Sequence, residues 1–369
     1  LPASASNGDQ IVFTDYARNW GTNAITIDSN GLNYQGDDDS YTVEYTTDGQ
    51  SVNIVYSGST NGWIPIEDDT VTDAPWKGNQ EGIFGFGSTG SVTGVTNLVS
   101  SSGVVATDTA AVGTAIFGLA ACEYGGDKGI FGFGYVPPST NTAVTNLVSN
   151  AGVVSADVTG VGTARRNLAA CSYGTDKGIF GFGYISGATA LTNLVSSSGV
   201  VATDTAAVGT ARHGPAGCEY GTNKDKGIFG YGNDGSHVSM TNLVSSSGVV
   251  ATDTTGVGTG RTTLAACRYG DDKAIFGFGT GAGGDTAVTN LVSNVGVVAT
   301  DTTGVGTGRE SIAACEYGED KGIFGYGYNS AGSYAPLSMT NLVSNTGVVA
   351  TDVTGVGTAR YKLAACSFN

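Results

Sequence analysis

The side chains of this sequence that could do chemistry recur at a nearly constant spacing. Six cysteines lie 49, 47, 49, 48 and 51 residues apart, at Cys122, Cys171, Cys218, Cys267, Cys315 and Cys366. Thiolates bind zinc when they come in close pairs such as Cys-x-x-Cys, and the sequence has no such pair. The two histidines, His213 and His237, have no second ligand at a suitable spacing. We therefore predict no metal and no cofactor.

A disulfide framework is the alternative use of six cysteines. Each cysteine has the same place in its own repeat, and packed sheets lie about 10 Å apart. This separation exceeds the roughly 7 Å that a disulfide allows between Cα atoms. We therefore predict small buried thiols that pack as apolar side chains.

Arginine and aspartate recur in register with the cysteines. An arginine precedes the cysteine by six residues in five of the six copies, and an aspartate lies eight residues before that position. The first copy has Ile116 in place of the arginine. Because a catalytic ring would not tolerate this gap, we predict structural ion pairs that join strands or neighbouring repeats. These residues are Asp157, Arg165, Asp204, Arg212, Asp253, Arg261, Asp301, Arg309, Asp352 and Arg360.

The elements that must position these groups are short and rich in β-forming residues. Each copy contains four segments, ARxxLAACxY, KGIFGFG, TNLVS and GVVATD, bounded by Gly, Asn, Ser or Asp. Four strands in about 40 to 50 residues are typical of a β-propeller blade. The sequence therefore predicts an all-β fold, with a six-bladed propeller of four-stranded blades at residues 81–369.

The two ends of the repeat region complement each other. The first copy starts at Glu81 without an LAAC segment, and the chain ends with one at 363–368. If this last segment pairs beside residues 82–87, the ring closes and no sheet edge stays exposed. An open solenoid is the alternative, and it would need polar caps that the sequence does not show.

Residues 1–66 differ from the repeats and are predicted to form a small β-sandwich-like domain. The alternating runs QIVFTDY, AITID, YTVEYT and SVNIVYS are separated by Asn-Gly and Asp-Gly turns. Trp20 and Trp63 are expected in its core. Residues 67–80 are predicted to be a linker. Because the chain begins at Leu1 in what reads as the end of a strand, we expect sequence upstream of it.

The net charge argues against two classes of partner. The 369 residues include 60 glycines, and 32 acidic against 16 basic residues give a net charge of −16. This charge repels nucleic acids and anionic lipids. No apolar run reaches the roughly 18 residues of a membrane-spanning helix. We therefore expect no nucleic-acid partner and no membrane insertion.

Variation among the six copies is greatest in the loop that follows GFG or GYG. The loops differ in length and chemistry, from STGSVTGV to YNSAGSYAPLSM. Loops on a rigid scaffold often carry binding functions, and tyrosine offers both a flat ring and a hydroxyl. Unselected drift is the alternative. The candidate binding residues are Tyr135, Tyr184, His237, Tyr328 and Tyr334.

The order of an Arg-led strand, an aromatic-Gly strand and a variable loop resembles the kelch repeat. The phrases DKGIFGFG and TNLVSNTGVVATD are similar to repeats in virion proteins of tailed bacteriophages. The string GDQIVFTDYARNWGTNAITI resembles a small β module of phage fibres that links a shaft to a distal head. The resemblance implies a structural protein of the virion, located on the surface of the extracellular particle.

This resemblance also implies a function. We expect a non-enzymatic tail or fibre appendage whose propeller head binds a host surface glycan or protein, with residues 1–66 as the attachment module. Its partners would include other fibre, tail or neck subunits, and we expect a homo-oligomer such as a trimer, the state common among fibre proteins. Two alternatives stay open: a purely structural decoration, neck or fibre protein, and a glycan-cleaving propeller, which needs paired carboxylates at a suitable separation.

Overall fold

The computed structural model describes residues 1–40, 42–70, 80–206, 208–330 and 335–368. The chain divides into two compact units, Leu1–Trp76 and Lys77–Asn369. The predicted all-β fold is confirmed for the described residues, whose strands are rich in Val, Ile, Phe and Tyr. No described helix has the length and apolarity that crossing a bilayer requires.

The strands of the first unit are β1 (Gln10–Thr14), β2 (Ile25–Ile27), β3 (Val43–Tyr45), β4 (Gln50–Tyr56) and β5 (Trp63–Thr70). The strands of the second unit are β6 (Glu81–Gly85), β7 (Thr96–Val99), β8 (Ala120–Tyr124), β9 (Lys128–Val136), β10 (Thr140–Val148), β11 (Ala169–Tyr173), β12 (Lys177–Gly181), β13 (Thr192–Val195), β14 (Ala216–Tyr220), β15 (Lys226–Asn233), β16 (His237–Val244), β17 (Arg261–Thr262), β18 (Ala265–Tyr269), β19 (Lys273–Gly277), β20 (Thr280–Gly281), β21 (Gly284–Asp285), β22 (Thr289–Val292), β23 (Ala313–Tyr317), β24 (Lys321–Asn329), β25 (Ala335–Val343) and β26 (Ala364–Phe368).

The first unit contains two small antiparallel sheets, one in the order β1-β4-β5 and one formed by β2 and β3. Trp63 is fully buried, and the Tyr56 ring meets it edge-on at 5.5 Å between centroids. Trp20 packs against this core and is only partly buried. The expected linker at 67–80 begins inside β5, and its residues 71–79 lie outside the described residues.

The second unit repeats one three-stranded antiparallel sheet six times. In each sheet the GIFGFG strand lies in the middle, between an LAAC strand and a TNLVS strand. The middle strand carries apolar residues on both faces, such as Ile179 and Phe180, which are completely buried. We number the sheets by their middle strands: sheet 1 is β26-β6-β7, sheet 2 is β8-β9-β10, sheet 3 is β11-β12-β13, sheet 4 is β14-β15-β16, sheet 5 is β18-β19-β22 and sheet 6 is β23-β24-β25.

Each sheet has three regular strands, and not the four that the sequence predicted. The GVVATD segment is joined to the TNLVS strand only by isolated bridges, such as Val99↔Val105 in sheet 1. The Asn97 side chain donates to the Ala106 carbonyl and to the Asp108 carboxylate, both at 2.9 Å. These side-chain bonds replace part of the main-chain ladder, and equivalent Asn–Asp bonds occur in the other five sheets.

The last strand of the chain completes the first sheet. β26 pairs antiparallel with β6, with Cys366 opposite Ile83, which confirms the predicted pairing of the chain end. The LAAC strands contact one another in the order β8, β11, β14, β18, β23 and β26, and β26 also contacts β8. Contacts between neighbouring sheets therefore form a closed cycle.

A ring of main-chain hydrogen bonds follows the same cycle. Its six members precede the LAAC strands, and each donates its N–H to the carbonyl of the preceding member, at 2.7 or 2.8 Å. All six have φ between 51° and 65°, a left-handed conformation that glycine adopts most easily. This main-chain ring consists of Gly118, Asn167, Gly214, Thr263, Ser311 and Lys362.

Aromatic rings also pack from sheet to sheet around the cycle. The aromatic residue of each GFG or GYG phrase meets a middle-strand phenylalanine of the next sheet, with centroids 5.1 to 5.3 Å apart. The pair Tyr326 and Phe84 returns from sheet 6 to sheet 1. The same kind of contact therefore stabilises all six interfaces.

All six cysteines are buried, as the sequence predicted. Burial raises the pKa of every one of these thiols above its ordinary value. Cys122 lies against Gly178 of the next sheet, so closely that a Cβ atom at Gly178 would be 2.5 Å from its Sγ atom. The cysteines therefore belong to the packing between sheets.

Candidate binding site

The LAAC strands of all six sheets line a central channel. Three spaces along it measure about 70, 80 and 30 Å³. The first space lies at the main-chain ring. We call this the loop end, because the variable loops start beside it, as in the pairing of Phe117 with Tyr135. The space of about 30 Å³ lies at the opposite end of the strands, the turn end, among the residues that follow each cysteine.

Arg166 lies between two of the predicted tyrosines at the loop end. Its guanidinium carbon is 4.6 Å from the ring centroid of Tyr135 and 5.1 Å from that of Tyr184. Its Nη1 donates to Asn141 Oδ1 at 3.1 Å. Beyond this, the Tyr184 ring meets the His213 ring edge-on at 5.5 Å. Arg166 forms no ion pair with a described residue, so the aromatic faces hold its charge in place without neutralising it.

Aromatic and cationic side chains continue on the other side of Tyr135. The Phe117 ring packs on Tyr135 at 5.3 Å. Lys362 Nζ is 5.3 Å from the centroid of Phe117 and 5.8 Å from that of Tyr361. Tyr361 in turn lies 5.2 Å from Tyr328. The resulting aromatic–cationic arc consists of Tyr328, Tyr361, Lys362, Phe117, Tyr135, Arg166, Tyr184 and His213.

The remainder of the loop end is polar and acidic. Glu310 is partly buried and accepts a hydrogen bond from Thr263 Oγ1 at 2.9 Å. Asp285 Oδ2 accepts bonds from the Ser330 N–H and hydroxyl at 2.6 and 2.8 Å. Burial raises the pKa of the Glu310 carboxyl group, and burial lowers the pKa of the Lys362 ammonium group. The loop end therefore presents different chemistry on its two sides.

Three of the five predicted loop residues, Tyr135, Tyr184 and Tyr328, belong to the arc. His237 begins β16, outside the arc, and is partly buried. A positive charge on its ring would lower the pKa of the Glu310 carboxyl group. Tyr334 lies outside the described residues.

Sequence comparison of the loops missed most of the arc. Five members lie one or two positions after the repeated arginine position, and not in the variable loop: Phe117, Arg166, His213, Tyr361 and Lys362. The first of these positions reads Phe, Arg, His, Thr, Glu and Tyr in the six copies, so it varies as strongly as the loop. This variation inside an otherwise constant phrase was the available signal.

The turn end of the channel is closed by buried charges, which we call the channel cluster. Glu123, Glu219 and Glu316 come from sheets 2, 4 and 6, and their carboxylate oxygens lie within 4.8 Å of one another. Lys224 Nζ is 2.7 Å from Glu123 Oε2 and 3.0 Å from Glu316 Oε2. Arg268 Nη1 is 3.2 Å from Glu316 Oε1. These five residues are at most 8% exposed.

The pKa values in the channel cluster reflect its burial. Burial raises the pKa of Glu123 and of Glu316. Burial alone would lower the pKa of Lys224, but the carboxylates of Glu123, Glu316 and Glu219 together outweigh it and raise that pKa. The adjacent space of about 30 Å³ is large enough for a water molecule or a small ion, and it is far too small for a sugar ring. These carboxylates therefore do not reach a glycosidic bond.

The repeated aspartates and arginines lie in the segments that connect one sheet to the next. Arg309 Nη1 is 3.8 Å from Asp352 Oδ1, so the arginine of one copy faces the aspartate of the next. Shorter bonds surround this pair. Thr307 Oγ1 donates to Asp352 at 2.7 Å, while Arg309 donates to the Tyr326 carbonyl at 2.8 Å and to Asn341 Oδ1 at 2.6 Å. The corresponding ion pairs Arg212–Asp253 and Arg261–Asp301 measure 3.8 and 3.9 Å.

The other repeated pairs follow this arrangement with less direct contact. The charges of Arg165 and Asp204 act on each other's pKa. Asp157 faces the connecting segment that carries Ile116 in place of arginine, and it is bonded instead by Thr114 and Asn146, at 2.6 and 2.9 Å. Arg360 donates to the Phe86 carbonyl of sheet 1 at 2.9 Å. The hydrogen bonds of threonine and asparagine therefore contribute at every interface, whether or not an arginine is present.

Comparison with known proteins gives no family assignment: no protein-family profile matches the chain, and no curated protein matches it in sequence.

Proposed function

We propose that residues 81–369 form a six-bladed β-propeller with kelch-like connectivity. Three observations support this. The LAAC strands contact one another in a closed cycle, the main-chain ring passes through six sheets, and β26 joins β6 across the two ends of the unit. Closure removes the unpaired edges that an open array of sheets would expose.

We further propose that this propeller is the non-enzymatic binding head of a tailed-phage virion appendage, and that it binds a glycan or protein of the host surface. The aromatic–cationic arc is the observation that carries this proposal. Its tyrosines offer flat apolar faces and hydroxyls, which suit both sugar rings and protein surfaces. Arg166 adds a charge that no described carboxylate neutralises, at the centre of the arc.

In this proposal the first unit attaches the chain to other fibre, tail or neck subunits. Several identical heads on one particle would act together, so modest affinity at each head suffices for firm attachment. A homo-oligomer such as a trimer would give this multivalency.

The test is binding of the purified full chain to an array of bacterial surface polysaccharides and to whole bacterial cells. We expect Tyr184→Ala and Arg166→Ala each to weaken binding about tenfold, the change that a loss of 1.4 kcal/mol produces. Tyr16→Ala is the matched control, because Tyr16 lies in the first unit and is 98% exposed. Unchanged binding in both arc variants would contradict the proposal, and so would the absence of any binding to cells or glycans.

A purely structural role in the virion is the second candidate, and one observation favours it. In each GVVATD segment one valine side chain is 63 to 65% exposed. These valines are Val104, Val153, Val200, Val249, Val297 and Val348. Six equivalent apolar positions suit contact with neighbouring subunits. If this role is the true one, replacing all six with serine should prevent incorporation into particles, and arc variants should leave host binding unchanged.

A further inference from the structure

Counted as ionised, the side chains of the channel cluster do not balance in charge. Lys224 and Arg268 supply two positive charges, and Glu123, Glu219 and Glu316 supply three negative ones. The cations are placed against Glu123 and Glu316, at distances of 2.7 to 3.2 Å. One carboxylate is therefore left over within a buried site.

That carboxylate is Glu219. It is 8% exposed, and it makes no hydrogen bond or ion pair with a described residue. Its carboxylate oxygen nevertheless lies within 4.8 Å of those of Glu123 and Glu316. A buried carboxylate without a hydrogen-bonded partner is costly, and a cation bound beside it would stabilise its charge.

The surroundings favour a cation. The adjacent space of about 30 Å³ is large enough for one small ion, and three carboxylates converge on it. Carboxylate oxygens are the ligands that hard cations prefer. The protein already places one cationic group among them, the Lys224 ammonium.

The position of Lys224 follows from an insertion in one copy. The turn between the LAAC and GIFGFG strands reads GTDK in sheet 3 but GTNKDK in sheet 4, so sheet 4 has two extra residues, Asn223 and Lys224. Lys224 is 2% exposed, whereas Lys226 of the same turn pairs with Asp225 at the surface. A tethered cation has thus been added to a site that would otherwise carry even more negative charge.

We propose that the channel cluster is a cation site in which Glu219, together with Glu123 and Glu316, binds one small hard ion beside Lys224. With Lys224 in place the excess charge is a single negative one, so the native chain selects a monovalent ion such as Na⁺. Without the lysine charge the cluster has two excess negative charges, and the same carboxylates select a divalent ion such as Ca²⁺.

The first test compares the melting temperature of the full chain in NaCl, KCl and choline chloride at equal ionic strength. We expect a higher melting temperature in NaCl than in choline chloride, and the loss of this difference in Glu219→Gln. Equal melting temperatures of the native protein in all three salts would overturn the proposal.

The second test measures Ca²⁺ binding by isothermal titration calorimetry. Lys224→Met should bind Ca²⁺ at least about tenfold more tightly than the native chain, a cautious value for removing a unit charge close to the ion. Lys226→Met is the matched control and should bind like the native chain. The double variant Glu219→Gln with Lys224→Met should not bind Ca²⁺.

The second test also overturns the proposal if Lys224→Met gains no affinity for Ca²⁺, or if the gain survives Glu219→Gln. Deleting Asn223 and Lys224 together provides a second variant should Lys224→Met fail to fold. That deletion gives the sheet 4 turn the length found in sheet 3.

Discussion

Replacing Gly178 with alanine should destabilise the protein, because a methyl group has no room there. A Cβ atom at this position would lie 2.5 Å from Cys122 Sγ and 3.0 Å from the Glu123 carbonyl oxygen. Carbon atoms in contact prefer about 3.5 to 4.0 Å, so the facing strand would have to move by roughly 1 Å. Overpacking of a tight interior costs about 1 to 3 kcal/mol, and we expect the free energy of unfolding to fall by that amount.

A double-mutant cycle with Cys122 isolates the steric cause. Cys122→Ala removes the Sγ atom and leaves only the 3.0 Å approach to the main-chain carbonyl. In that background we expect Gly178→Ala to cost about 1 kcal/mol less. Urea unfolding of the native chain, both single variants and the double variant measures this coupling. An equal cost in the two backgrounds, or no cost in either, would refute the reasoning.

Sheet 5 contains a natural control for this experiment. Ala274 stands where the other five sheets have glycine, and it belongs to the same buried cluster as Cys218. This interface has already adjusted to the methyl group. Ala274→Gly should therefore change stability by less than about 1 kcal/mol.

Two further predictions concern the connecting segments between sheets. Arg309→Ile should lower the free energy of unfolding by about 3 kcal/mol, because the Tyr326 carbonyl and Asn341 Oδ1 lose their donor in a buried site. Thermal unfolding measures this loss, and a loss below about 1 kcal/mol would contradict the prediction. Although burial acts in the opposite direction, hydrogen bonds from Asn341 and Thr307 hold the pKa of Asp352 below its ordinary value. Because the folded pKa is the lower one, this stabilisation is present above the unfolded value of about 3.9 and is lost as pH falls through the folded value. Resistance to urea should therefore decline below about pH 4, and an unchanged midpoint between pH 5 and pH 2 would argue against this linkage.

The regular strands could be predicted because their signals are local and repeated six times. The GIFGFG and TNLVS phrases combine β-forming residues with glycine and asparagine boundaries. The pairing of β26 with β6 was also predictable, because the first copy lacks the segment that the chain end supplies. The fourth strand was overestimated, because nothing local signals that the Asn97 side chain takes the bonds of a main-chain ladder.

The candidate site was only partly predictable, because it depends on which copies become neighbours. Tyr328 and Tyr361 meet across the interface between sheets 6 and 1. Lys224 and Glu123 are 101 positions apart in the sequence and meet only in the channel. A period in the sequence identifies equivalent positions, but it does not say which of them face a shared space. That information comes from closure of the cycle.

The six copies agree where a side chain lies between two sheets, and they differ most at the two ends of the channel. An interface between sheets occurs six times, so one set of contacts can serve all of them, as with the aromatic pairs. Each end of the channel occurs once, and a six-fold ring of identical groups would offer a ligand the same chemistry from every direction. A ligand without that symmetry is bound more selectively by unlike groups, such as Arg166 on one side and Glu310 on the other. Arg166 and Lys224 have no counterpart in the other copies. Substitutions at these two positions should therefore change binding while the repeated contacts keep the sheets together.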